Sequence, residues 1–124
     1  EKSVEVLGLK PYVLFTGFLP ENDKLDYFRL ADAFVMPGSG EGFGIVYLEA
    51  MACGVPVVGG KRDGSREALR DGKLGILVDP SNQEEIVKGI LEALNRPKGV
   101  IPEGLSHFSY EAFEKRTHAI LDKI

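Results

Sequence analysis

The chain has 124 residues, a length that holds one domain, and 44% of them are hydrophobic, enough for an ordinary packed core. A formal net charge of −4 and a pI near 5.2 argue against a general nucleic-acid binder, which carries a basic face. Cys53 is the only cysteine, which excludes an intrachain disulfide and suits a reducing compartment, and no apolar run approaches the roughly 20 residues that span a bilayer.

The sequence opens at Glu1, without Met, inside a helical pattern, so we expect a piece of a longer polypeptide. Tyr12–Leu19 is a short apolar run closed by Pro20. Asp23–Ala31 predicts a helix with Leu25, Phe28 and Arg29 on one face and Asp23 able to cap its first turn. Ala33–Pro37 is a second apolar run, followed by a glycine-rich loop over Gly38–Gly44 and a helix over Ile45–Cys53 that Gly54 ends. Val55–Gly59 is a third run and Arg66–Asp71 a short helix ended by Gly72. Leu74–Asp79 is a fourth run, stopped by Pro80. Asn82 starts a longer helix: Ile86, Val87, Ile90, Leu91 and Leu94 recur at helical spacing, Glu84 and Glu85 suit its N-terminus, and Pro97 ends it. Lys98–Phe108 reads as loop, and Tyr110–Ile124 as a last amphipathic helix.

Short, continuously apolar strands separated by helices imply an α/β fold: a Rossmann-like parallel sheet of about four strands with helices on both faces. Such sheets bind ligands at the C-terminal ends of their strands, in the loops that lead into helices. The richest of these loops is Pro37–Glu49. Gly38, Gly40, Gly42 and Gly44 leave backbone N–H groups able to approach a ligand, and the following helix presents its positive end. Strand, glycine loop and helix N-terminus form an anion site suited to a diphosphate. Glu41 and Glu49 flank it. Eight helical residues rise roughly 12 Å, about the span from a sugar ring to a ribose across a diphosphate. A carboxylate accepts two hydrogen bonds from vicinal hydroxyls, so each acid can hold one sugar. The competing reading is that both glutamates only stabilise the helix dipole.

Glu41-Gly-Phe-Gly-Ile-Val-Tyr-Leu-Glu49 resembles the E-x7-E motif of retaining GT-B glycosyltransferases, in particular family GT4. Phe15–Pro20, Phe34–Pro37, Ala50–Val58 and Gly75–Pro80 resemble the family's neighbouring segments, in the same order and almost end to end. The resemblance implies that residues 1–124 are part of the C-terminal nucleotide-sugar-binding domain, the half of a GT-B fold opposite an acceptor domain that this sequence does not contain. It implies that Glu41 binds donor-sugar hydroxyls, that Gly42, Phe43, Gly44 and Ile45 line the sugar and phosphate site, and that Glu49 binds the ribose. Gly17 and Phe18 would lie near the base. The partners implied are a nucleoside-diphosphate sugar as donor and, through the other domain, a glycan or lipid acceptor. The resemblance further implies no metal, no other cofactor and a cytoplasmic setting, peripheral at the membrane in the full-length protein.

The sequence departs from the family at Gly38-Ser39-Gly40, looser than the usual Pro-Ser start, and at Arg62-Asp-Gly-Ser65, which replaces the usual Gly-Gly turn and opens the question of donor preference. The family's Arg and Lys that neutralise the leaving diphosphate belong to strands this sequence lacks, so no catalytic residue is assigned. In the family's strand order the first run and the other three are separated by two further strands. The chain is therefore expected to re-pair or swap that strand, forming a homo-oligomer by strand exchange, or to belong to a longer polypeptide.

Cys53 reads as a small buried residue, and His107 and His118 have no partners at metal-ligand spacing. Glu67 reads as an N-terminal helix glutamate, while Phe43 suits either stacking on a ligand or packing beneath the loop. Two other functions stay open. One is a non-catalytic nucleotide-sugar-binding module. The other is a flavodoxin-like signalling domain, which would need clustered aspartates where the strand ends offer Pro37, Gly59 and Asp79.

Overall fold

A computed structural model describes all 124 residues. In chain order they form α1 (Lys2–Val6), a 3-10 turn (Lys10–Tyr12), α2 (Glu21–Leu30), β1 (Phe34–Met36), α3 (Ile45–Ala52), β2 (Val57–Gly60), α4 (Ser65–Ala68), β3 (Ile76–Val78), α5 (Gln83–Leu94), a second 3-10 stretch (Glu103–Phe108) and α6 (Tyr110–Leu121). The sheet is parallel with order β1-β2-β3. Phe34 faces Val57 across the first ladder, and Val58 faces Ile76 across the second.

All four residues of β2 are buried, which explains why the run is apolar without alternation: helices cover both faces. Val57 joins Phe28, Tyr47, Ala50, Met51, Val55, Ala68, Leu69 and Leu74 in the larger core on the side of α2, α3 and α4. Val58, one residue on, points the other way and packs with Ile76, Val78 and Ala93 beneath α5. Phe28 and Tyr47 both meet Phe34 edge to face, with ring centroids 5.4 and 5.9 Å apart.

The sheet has three strands rather than four. Residues 13–19 form no strand and make no backbone–backbone hydrogen bond, and Phe18 is 94% exposed. An extended segment becomes a strand only through a ladder, and this one meets no partner in the chain. β1 keeps one edge unpaired, so the expected re-pairing does not occur within the chain.

Smaller corrections have local causes. α2 begins at Glu21 after Pro20 and has no side-chain cap, so Asp23 lies in the first turn instead of capping it. α4 stops at Ala68, and Arg70 and Asp71 then turn the chain through left-handed backbone. The helix expected to start at Asn82 begins at Gln83, and Asn82 caps it, its side chain accepting the Glu85 N–H. Lys98–Phe108, read as loop, winds into the 3-10 stretch over its second half. α6 runs from the Ser109 cap to Leu121 and buries none of its residues.

Candidate functional site

The C-terminal ends of β1 and β2 open into two loops that lie against each other. The first runs from Pro37 to Gly44 and enters α3, the second from Lys61 to Gly64 and enters α4. Gly44 is the N-cap of α3 in left-handed backbone, φ 87°, a conformation that costs a side-chain-bearing residue and turns the loop sharply into the helix.

Tyr47, in the first turn of α3, is fully buried. Its hydroxyl donates to the Met36 carbonyl at 2.6 Å, and it lies 3.0 Å from Ser65 Oγ. One phenol thus ties the end of β1, the start of α3 and the start of α4. Burial pushes its pKa up, against the Ser65 hydrogen bond, so it stays a neutral donor.

Asp63 joins the loops from above. One carboxylate oxygen accepts the Glu41 N–H at 2.9 Å and the other accepts the Ser65 N–H at 3.0 Å. The Gly64 N–H in turn donates to the Glu41 carbonyl at 3.0 Å. Desolvation pushes the Asp63 pKa up, but the Ser65 hydroxyl and the amides of Glu41, Ser65 and Gly40 outweigh it, so the net shift is downward and the carboxylate stays ionised.

Glu41 is half-buried, and its carboxylate enters no hydrogen bond or ion pair within the chain. Glu49, midway along α3, is different. Its Oε1 accepts from Lys24 Nζ at 2.9 Å, and the same ammonium reaches Glu21 at 2.6 Å. Donating to the Glu21 and then the Glu49 carboxylate raises the Lys24 pKa, so the lysine is a fixed cation beside Glu49. Glu49 Oε2 has no partner. The second loop is further tied to the third strand end: Arg62 pairs with Asp79 at 2.6 Å and Lys61 with Glu85 at 2.8 Å. Hydrogen bonds from the Ser81 hydroxyl and amide, then Arg62, hold Asp79 down to about 2.

Of the residues singled out from sequence, Glu41, Gly42, Phe43, Gly44, Ile45 and Glu49 share the loop and the helix it enters. The Phe43 ring meets Phe108 edge to face, centroids 5.7 Å apart. Gly17 and Phe18 lie in the exposed segment and make no hydrogen bond to the loop. Glu67 is exposed in the first turn of α4, and Cys53 is half-buried against the larger core. The His107 ring packs edge-on to Phe108, and no cluster of three His, Cys, Asp or Glu is close enough to hold a metal ion. Lys24, Tyr47, Asp63 and Ser65 were missed as site residues. Asp63 and Ser65 carried a signal, through the unusual Arg62–Ser65 turn.

The family model described as glycosyl transferases group 1 matches residues 1–115. The chain is 38% identical over 120 residues to the GDP-mannose-dependent alpha-(1-6)-phosphatidylinositol monomannoside mannosyltransferase of Mycolicibacterium smegmatis, covering 90% of this chain and 31% of that protein. It is 39% identical over 93 residues to D-inositol 3-phosphate glycosyltransferase 2 of Catenulispora acidiphila, covering 73% of this chain and 22% of the relative. The fold matches sucrose-phosphate synthase from Thermosynechococcus elongatus with a TM-score of 0.78 at 25% identity, over 98% of this chain and 32% of that one. It matches Anabaena HepE, solved with UDP and glucose, with a TM-score of 0.77 at 26% identity, over 99% and 35%. The chain therefore spans about a third or less of the proteins it resembles. With the family model covering nearly its whole length and a glycine loop entering a helix at the end of a parallel strand, this chain belongs to the glycosyl transferases group 1 family.

Proposed function

We propose that this chain is the donor-binding part of a retaining glycosyltransferase that takes a hexose from a nucleoside diphosphate. The observation that carries the reading is the unengaged Glu41 carboxylate at the glycine loop, with Glu49 further along the same helix. In this reading Glu41 accepts hydrogen bonds from the sugar hydroxyls, and the backbone from Gly42 to Ile45 lies along the sugar and phosphates. Glu49 takes the ribose through its unpartnered oxygen while Lys24 holds the other. Gly17 and Phe18 lie toward the base. The names of the relatives support a nucleotide-hexose donor: one acts with GDP-mannose, and HepE was solved with UDP and glucose. The acceptor is bound by parts of the protein outside this sequence, with a lipid-linked inositol or a glycan as the class.

No residue here is assigned to bond-making. The loop's contribution is to bind and orient the donor. Calorimetric titration of the full-length protein with UDP-, GDP- and ADP-hexoses tests the reading, and one nucleotide should bind in preference. Glu49→Gln should weaken it by about 1.5–3 kcal/mol, the worth of a hydrogen bond to a charged group. Equal affinity in that variant would remove Glu49 from the site.

A further inference from the structure

The backbone of Glu41 is held from outside its own loop. Its N–H donates to Asp63, and its carbonyl accepts from Gly64, the next residue, 2.9 and 3.0 Å away. Both polar backbone groups of one residue are thus satisfied by two consecutive residues of the second loop. A side chain at position 64 would run into the Gly42 carbonyl and come within 2.9 Å of the Phe43 nitrogen, so the two loops are in backbone contact there. The other Asp63 oxygen is committed to the Ser65 N–H, and Ser65 meets Tyr47, which grips Met36 at the start of the first loop. The segment Asp63–Ser65 is therefore tied to the loop at its base and at its most important residue. Asp63 is half-buried, with each carboxylate oxygen occupied by an amide, and points inward to the protein.

We propose that Asp63 is a positioning residue for the donor sugar: its carboxylate fixes the backbone of Glu41 so that the Glu41 side chain meets the sugar hydroxyls in one orientation. This rests on the assignment of Glu41 to the sugar made above. The chemistry calls for a carboxylate at this position. Two N–H groups converge on one side chain, and only an acid offers each of them an ionised acceptor. Asparagine offers one oxygen and turns an NH2 toward the second donor.

The test uses the full-length protein and two matched pairs of probes, UDP with UDP-glucose and GDP with GDP-mannose, keeping the pair that binds. Asp63→Ala should lower affinity for the nucleotide hexose about tenfold, while the bare nucleoside diphosphate binds within about twofold of the parent. Asp63→Asn should fall between the two and so rescue part of the loss. Combined with Glu41→Gln, Asp63→Ala should add nothing beyond the larger single effect, because both act through one contact. Hydrogen exchange over residues 38–44 should be faster in Asp63→Ala without any ligand. Equal losses for nucleotide and nucleotide hexose, additive losses in the double variant, or unchanged exchange over 38–44 would each overturn the proposal. If Glu41→Gln leaves the hexose-to-nucleotide affinity ratio unchanged while Asp63→Ala still speeds exchange, the sugar role of Glu41 fails. The proposal's effect on sugar binding fails with it, and a purely structural clamp remains.

Discussion

Val55–Gly59 and Tyr12–Leu19 are both short apolar runs bounded by turn residues. The first supplies β2, buried on both faces between β1 and β3. The second lies exposed, and beyond the Tyr12 N–H it makes no backbone–backbone hydrogen bond. A strand's stability comes from its neighbours: the ladder satisfies its amides and carbonyls, and helices on each face remove its side chains from water. Without either, an apolar run keeps its chain entropy and stays open. The same contrast separates the two candidate binding regions, since the glycine loop is tied down by Tyr47 and Asp63 whereas Gly17 and Phe18 are held by nothing comparable.

The contrast can be broken or sharpened by measurement. Leu69→Ala removes a fully buried side chain packed under β2 and should cost about 2–5 kcal/mol in denaturant unfolding. Leu14→Ala, in the exposed run, should stay within about 0.5 kcal/mol, and a loss comparable to Leu69 would show that the run is packed in solution. Tyr47→Phe keeps the ring and deletes the hydroxyl that binds Met36, so it should cost about 1–3 kcal/mol and speed exchange over residues 38–44. A silent Tyr47→Phe would mean that packing alone holds the loop. Backbone exchange itself should rank the regions, with β2 amides protected and residues 13–19 exchanging at nearly unstructured rates.

The smallest effect belongs to the charged rim. Asp79 falls from its ordinary 3.8 to about 2 through Ser81 and Arg62. A carboxylate with a depressed folded pKa adds stability that is fully present above its unfolded value and is lost as pH falls through the folded one. The parent should therefore lose a small increment between about pH 4 and pH 2, and Asp79→Asn should flatten that part of the acid-unfolding curve. An identical curve would show that the exposed pair contributes nothing, as many surface pairs do.

Much of the site was legible in the sequence because it is local. Glu41, the glycines and Glu49 sit on one continuous stretch, and the turn into α3 follows from Gly44 and the helical residues behind it. The groups that hold that stretch were not legible. Tyr47 looks like an ordinary core position until its hydroxyl is seen on Met36, and Lys24 looks like a solvated helix residue until it meets Glu49, 25 positions away.

By itself the sequence determined the α/β class, three of the expected strands, the helix that starts at Asn82, and the loop and helix that carry the two glutamates. Each follows from local propensity, hydrophobic spacing or a single contiguous motif. Only the tertiary structure decided that the first apolar run makes no strand, that Phe43 packs on Phe108, and that Asp63 and Gly64 hold Glu41 by its backbone. These depend on which distant segments come within hydrogen-bond or van der Waals reach, and no local pattern encodes that distance.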